Sequence, residues 1–258
     1  MRTCILTTCV GRWRFLEQAY ASWCSHLAGH TVHEVLCVTS EQCSDVTGVK
    51  AKKVGMRVVM AELDRDSRGR PIFHKTRMLN IGALQAKRDR YERLVLLDAD
   101  TTVLKGFADE VSLVPEAGSF GFCKSPLTKR DLAGVLIVNV DDWIGIGGMD
   151  ERFEGWGAED LDMRLRLRFR RHLDYTRINP STLLSLPHSD ALRTELYRTQ
   201  EKYESLAKNN RIMAENYEKA MRRSLAGDLA DDLELQELLG LTDELTQRGA
   251  KLTKVVHP

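Results

Sequence analysis

Apolar residues along this chain fall in short blocks whose spacing switches between two periods. Thr3-Cys4-Ile5-Leu6-Thr7-Thr8 has the length and content of a buried strand, and it runs through Cys9-Val10-Gly11-Arg12 into Phe15, Leu16, Ala19, Tyr20 and Trp23 at helical spacing. Glu34–Thr39 and Met56–Met60 repeat the strand pattern, with polar loop or short helix between them over 40–53. Residues 73–83 begin a helix whose Met78, Leu79, Ile81 and Ala83 can face a sheet. Leu94–Leu97, Phe120–Cys123 and Val135–Val138 are further runs of buried-strand type, while 101–116, despite Leu104, Phe107 and Val111, reads as a polar connection. Strands alternating with helices in this way predict an α/β domain with a mostly parallel sheet flanked by helices.

Two stretches complicate the picture. Met163-Arg164-Leu165-Arg166-Leu167-Arg168-Phe169-Arg170 alternates strictly, which by period alone is a strand with one basic face. Carboxylates at its start, arginines toward its end and a shared face for Leu161, Leu165 and Phe169 favour a helix instead. From Ala191 to His257 there is no proline, and Leu, Ala, Glu, Lys, Arg and Gln dominate. The expected division is therefore a main domain over 1–190 and a helical appendage over 191–258, broken near Gly227 and Gly240. Tyr197, Tyr203, Leu206 and Tyr217 make the appendage amphipathic enough to lie on the main domain, on a second copy or on a protein partner.

Composition narrows the function classes. The 258 residues are 43% hydrophobic, enough for one sizeable core, and a net charge of +1 leaves no basic excess for a nucleic-acid backbone. No 18-residue apolar stretch occurs and the N-terminus lacks a hydrophobic signal region, so a cytoplasmic protein without a transmembrane segment is expected. The six cysteines form no Cys-x-x-Cys pair and several lie in strand-like runs, which points to buried reduced thiols and not to disulfides or zinc.

The chemistry gathers at two acidic sites. In Gly155-Trp156-Gly157-Ala158-Glu159-Asp160-Leu161-Asp162, three carboxylates follow a glycine-rich turn; alone this is equally an acidic helix start beside a core tryptophan. Upstream, the strand Leu94–Leu97 runs into Asp98-Ala99-Asp100. Ligands of open α/β sheets collect beyond the carboxyl ends of strands, and two aspartates pointing the same way there suit a divalent cation carried with a diphosphate. Gly145-Ile146-Gly147-Gly148 has the wrong spacing for a dinucleotide fingerprint.

Together these motifs, with Gly147-Gly148-Met149-Asp150 ahead of the second, resemble a GT-A-fold glycosyltransferase of the group sharing the galactosyltransferase C-terminal motif, the β-1,4-galactosyltransferases and polypeptide N-acetylgalactosaminyltransferases. The likeness runs from about Arg2 to Asp190 and implies a GT-A (Rossmann-like) fold, a UDP-sugar donor, Mn2+ or Mg2+, and a glycan, glycolipid or protein acceptor. It implies donor contacts from Thr8, Arg12 and Asp98, an aromatic on uracil from Phe73, and a phosphate-side cation from Lys75, where the family usually has Arg, or from Arg77. It implies a metal held by Asp100 and His188 with Asp98 alongside, a general base Asp160 backed by Glu159, and an acceptor surface at Trp156 and Gly157. Position 158 is Ala where galactosyltransferases often have Gly. Hexose transfer with inversion is the expected outcome, although the N-acetylgalactosaminyltransferases retain configuration. Two other readings stand beside it. Leu97-Asp98-Ala99-Asp100-Thr101 also resembles the nucleophile motif of haloacid-dehalogenase-type phosphatases, with Asp141-Asp142 as a later acidic motif, and a silent scaffold would act through the helical tail.

Overall fold

The computed structural model describes residues 1–27, 32–40, 47–123, 132–199 and 201–224; Cys43 and the helix breaks expected near Gly227 and Gly240 lie outside them. Strand β1 (Thr3–Thr8), buried at all six positions, sits inside a seven-stranded sheet. The order is β3 (Arg57–Ala61), β2 (Val32–Ser40), β1, β4 (Arg93–Leu96), β7 (Leu136–Asn139), β6 (Ser119–Cys123), β8 (Asp174–Ile178). The first four strands are parallel, β7 runs antiparallel to both β4 and β6, and β8 is parallel to β6. Because successive side chains point to opposite faces, Cys4, Leu6, Leu94 and Leu96 enter one core while Ile5, Val95 and Leu97 enter the other. Helices α3 (Lys75–Arg88), α5 (Val140–Gly145) and α6 (Glu159–Arg171) cover the first face; α1 (Trp13–Leu27), α2 (Thr47–Lys53) and α4 (Phe107–Leu113) contribute buried residues to the second. The chain leaves β1 toward β2 and β3, then returns to β4 on the other side of β1. That reversal opens a crevice at the carboxyl ends of β1 and β4, where such folds bind ligands.

Residues 101–116 are more than the polar connection their composition suggests. They form β5 (Thr101–Val103), paired antiparallel with β9 (Leu183–Ser185), and then α4. Val103, Phe107 and Val111 are buried at four-residue intervals, and this apolar stripe outweighs the polar residues around it. The alternating stretch 163–170 lies within α6, and its pattern has a physical origin. Met163 and Leu167 pack on the sheet core, whereas Leu161, Leu165 and Phe169 pack on the opposite side, against Ile212 and Met213 of α8 (Lys202–Ser224). Two i,i+4 stripes offset by two residues look like a strand in sequence; here they mark a helix sandwiched between a sheet and another helix. The described part of the C-terminal region, α7 (Asp190–Thr194) and α8, thus lies on the main domain. No described helix is long and apolar enough to cross a membrane. Cys4, Cys9, Cys24, Cys37 and Cys123 form no disulfide among the described residues.

Candidate active site

The first acidic site is set by strand pairing. Beyond β4 the chain turns through Asp98, whose carbonyl accepts from the Thr101 amide at 2.9 Å, and Thr101 then pairs with Ser185 across β5 and β9. The Leu186 amide donates to the Asp100 carbonyl at 2.8 Å, which brings His188 back from 88 residues away, its Nε2 2.5 Å from Asp100 Oδ2. Phe15 of α1 packs edge-on against the imidazole, with ring centroids 5.7 Å apart. Burial works to raise the Asp100 pKa, but the hydrogen bond and charge of His188 outweigh it and hold the carboxyl below its usual range.

The second site is set by a turn and a helix start. Gly155 (φ 77°), Gly157 (φ 97°) and Ala158 (φ 71°) all take left-handed backbone, and α6 then begins at Glu159. Of the three carboxylates only Glu159 and Asp160 turn into the crevice. Asp162, 1% exposed, turns away: its Oδ2 accepts from Arg166 Nε at 2.7 Å and its Oδ1 from Asn216 Nδ2 at 2.9 Å.

Lys75, the first residue of α3, joins the two sites. Its Nζ lies 3.2 Å from Asp98 Oδ1, 3.2 Å from Glu159 Oε1 and 3.2 Å from Asp160 Oδ1. Burial opposes its charge, yet the three carboxylates, Asp160 foremost, keep the ammonium protonated well above its ordinary value. Burial raises Glu159 to about 7, with Asp160 adding to the effect and Lys75 opposing it. Asp98 is raised too, by burial first and against the pull of Lys75. Glu159 Oε2 is buried with no hydrogen-bond partner among the described residues.

The remaining predicted residues divide. Thr8 is buried at the end of β1, on the crevice side of the fold. Arg12 instead donates through Nη2 to the Leu192 and Arg193 carbonyls, so it ties the β1 loop to the end of α7. Phe73 is half-buried with its ring 5.6 Å from that of Tyr197, and Arg77 lies one turn from Phe73, beside a cleft with Glu154 and Arg198. Lys75 is drawn to carboxylates and Arg77 is not among its neighbours. Trp156 carries the Lys202 ammonium 4.2 Å from its ring centroid, and a Cβ on Gly157 would stand 2.8 Å from Leu206 Cδ1 of α8. Asp98 sits with Lys75, whereas Asp100 alone of the pair meets His188. The phosphatase reading loses its second motif, since Asp141 pairs with Lys87 and Asp142 with Arg171.

A family model described as the N-terminal domain of galactosyltransferase matches residues 122–189, the span holding the Gly-Trp-Gly turn, α6 and His188. The catalytic domain of Drosophila β1,4-galactosyltransferase 7, solved with xylobiose, superposes with a TM-score of 0.54 at 19% identity over 77% of this chain and 75% of that one. The chain has the GT-A fold of these glycosyltransferases. A variant of the Drosophila enzyme solved with manganese, UDP-Gal and xylobiose gives 0.54 at 17% identity, covering 80% and 79% of the two chains. A mannosyltransferase from Pyrobaculum calidifontis, solved with GDP-Man and Mn2+, gives 0.57 at 14% identity over 98% and 85%. No curated protein sequence is significantly similar.

Several residues at the site carry no motif. Gly134, ahead of β7, approaches so closely that a Cβ there would stand 2.3 Å from Asp98 Oδ2 and 3.1 Å from Lys75 Nζ. An isolated glycine before a buried strand is its only trace in the sequence. Arg164 Nε donates to the Asp160 carbonyl at 3.1 Å and Nη2 to the Ala133 carbonyl at 3.0 Å, binding the two loops together. In the alternating run it is one arginine among four.

Proposed function

We propose that this protein is a glycosyltransferase that moves a hexose, of galactose or N-acetylgalactosamine type, from a UDP-sugar to an acceptor hydroxyl with inversion, using Mn2+. The observation that carries the reading is the single ammonium of Lys75 standing 3.2 Å from carboxylates of both acidic sites, Asp98 and Asp160, which puts donor-side and acceptor-side groups in one crevice.

The donor set fits the metal. A carboxylate oxygen and an imidazole nitrogen already in contact suit Mn2+ better than Mg2+. Nδ1 of His188 lies 3.3 Å from the Ser189 carbonyl, a position for its proton that leaves Nε2 as the ligand atom. Among the described residues no group of three or more His, Cys, Asp or Glu side chains is placed to hold a metal ion, so Asp100 and His188 would hold the cation together with the donor's diphosphate. When bound, the cation neutralises charge growing on the departing diphosphate. Asp98 accepts from ribose or sugar hydroxyls of the donor, with Thr8 at the end of β1 beside it. Asp160 takes the acceptor proton, with the ammonium of Lys75 balancing its charge and Glu159 beside it. Trp156 gives the acceptor sugar an apolar face, and an attack opposite the diphosphate inverts the anomeric carbon. The ligands of the related structures, manganese, UDP-Gal, GDP-Man and xylobiose, support a nucleotide-sugar donor and a sugar acceptor.

The test is a panel of UDP-sugars with Mn2+, scored by donor hydrolysis on wild type and Asp100→Ala. At least one UDP-hexose is expected to turn over in wild type and to fall by 10-fold or more in the variant. Equal turnover in both removes Asp100 from the metal site, and release of phosphate from a phosphomonoester without UDP-sugar turnover overturns the reading.

A further inference from the structure

Helix α8 lies outside the residues matched by the galactosyltransferase model, yet its buried face is unusual for a helix that merely packs. The stripe is Ser205, Asn209, Ile212, Met213 and Asn216, all buried, and three of the five are polar. Buried polar groups are costly unless bonded, so a helix needing only a dry seam would carry apolar residues there. Each of the three instead meets the acidic motif or its flank. Ser205 Oγ accepts from the Trp156 amide at 2.7 Å and donates toward the Glu154 carbonyl at 3.1 Å. Asn209 Nδ2 donates to the Gly157 carbonyl at 2.9 Å. Asn216 Nδ2 reaches Asp162 Oδ1 at 2.9 Å and Asp150 Oδ2 at 2.8 Å. The glycines of the turn answer this approach: a Cβ on Gly155 would stand 2.2 Å from Ser205 Oγ, and one on Gly157 would collide with Leu206. From the same helix Lys202 covers the Trp156 ring.

We infer that α8 is a working part of the acceptor site, with Ser205 and Asn209 as positioning residues that fix the Gly155-Trp156-Gly157 turn and thereby the aim of Trp156 and the start of α6. The inference rests on the proposed assignment of Trp156 and Asp160 to the acceptor side. Neither residue touches substrate; both act by bonding the backbone that carries Trp156 and leads into Asp160. The turn's three left-handed residues have no side-chain cap at the helix start, so these bonds from α8 supply the constraint.

The experiment compares Ser205→Ala and Asn209→Leu with Ile212→Ala, a cavity variant on the same stripe whose side chain belongs to the apolar cluster with Phe153, Leu165 and Phe169 and makes no hydrogen bond to the turn. The full chain is assayed with Mn2+ and the UDP-sugar found active. Ser205→Ala and Asn209→Leu are expected to raise the acceptor KM by about 10-fold or more while leaving acceptor-independent donor hydrolysis and the donor KM within about twofold. Ile212→Ala should lower Tm without moving the acceptor KM. Amide hydrogen exchange across residues 155–162, read on the same proteins, is expected to quicken by 10-fold or more in Ser205→Ala and Asn209→Leu and far less in Ile212→Ala. If all three variants lower Tm alike while acceptor KM and exchange in the turn stay at wild-type values, α8 is packing only and the inference falls. A wild type without UDP-sugar turnover is a failure of the proposed function, and the exchange experiment then still decides whether α8 fixes the turn.

Discussion

Asp160 and Asp162 stand two residues apart on α6, and their surroundings share almost nothing. Asp160 faces the crevice, 3.2 Å from the ammonium of Lys75 and with 18% of its side chain open to solvent. Asp162 is sealed in the seam between α6 and α8, its two oxygens held by Arg166 and Asn216. Two residues on a helix amount to about 200° of rotation, so a helix wedged between a sheet edge and a neighbouring helix sends one carboxylate to each side. The partner then decides the role. A shared, partly open lysine leaves Asp160 free to exchange partners during a reaction, while a dedicated arginine and amide make Asp162 part of the frame.

The widest separation between the two should come from replacing each in turn. Asp160→Asn keeps shape and packing but removes the base, and transferase kcat is expected to fall by roughly 100- to 10,000-fold with Tm nearly unchanged. A variant retaining more than a tenth of wild-type kcat would take the base role from Asp160. Asp162→Ala should do the reverse in kind. It leaves the Arg166 charge buried at 4% exposure with the Ile146 and Gly148 carbonyls and the Met163 sulfur as partners, and stripping the carboxylate from a buried pair costs about 3 to 5 kcal/mol. Thermal melting should show a drop of roughly 10 °C. An unchanged Tm would mean that the seam tolerates an unpaired guanidinium.

This comparison also shows how far the sequence could be read. The parallel strands, the two acidic sites and the pairing of Asp100 with His188 follow from buried apolar runs and from the family resemblance, because motif residues keep their order and spacing. Which members of Glu159-Asp160-Asp162 face the site does not follow from period or composition, since all three are ordinary residues for a first helical turn; only the family resemblance singles out Asp160 and Glu159. Choosing among them needs to know what packs on the other side of α6, and that is α8, forty residues downstream. The β5–β9 ribbon was hidden for the same reason: three-residue strands have no period of their own, and their pairing partner lies 82 residues away. Arg12, expected on the donor, is engaged by carbonyls of α7 that no local pattern announces.

Glu159 sharpens the comparison from between the two aspartates. Burial lifts its pKa to about 7 from a usual 4.5, so between those values the native state binds the proton more tightly than the unfolded chain does. Stability from this group is therefore fully present below about pH 4.5 and is lost as pH rises toward 7. Above that, an ionised Glu159 costs on the order of 3 kcal/mol. Glu159→Gln should raise Tm at pH 8 by several degrees and leave it nearly unchanged at pH 4, in protein stripped of divalent cations. Equal shifts at both pH values would show that the carboxyl titrates normally in the fold.

Ala158 supplies the smallest expected effect, because three terms of similar size oppose one another. Its left-handed φ of 71° costs a residue bearing a Cβ roughly 1 to 2 kcal/mol, which Ala158→Gly would remove. Glycine also loses about 0.4 to 1 kcal/mol through the freedom it gives the unfolded chain. The Ala158 methyl packs against the cluster of Phe153, Leu165, Phe169, Ile212 and Met213, and its burial is worth up to about 0.8 kcal/mol. The sum lies between about −0.8 and +1.6 kcal/mol, so Tm is expected to move by less than roughly 6 °C in either direction. A larger fall would mean that the methyl anchors the turn to α8 more firmly than its area implies. A larger rise would mean that strain at 158 is held in place by the contacts that aim Asp160 and Asp162 apart. A near-neutral result accounts for an alanine at a position whose backbone favours glycine: in this chain α8 gives the methyl something to touch.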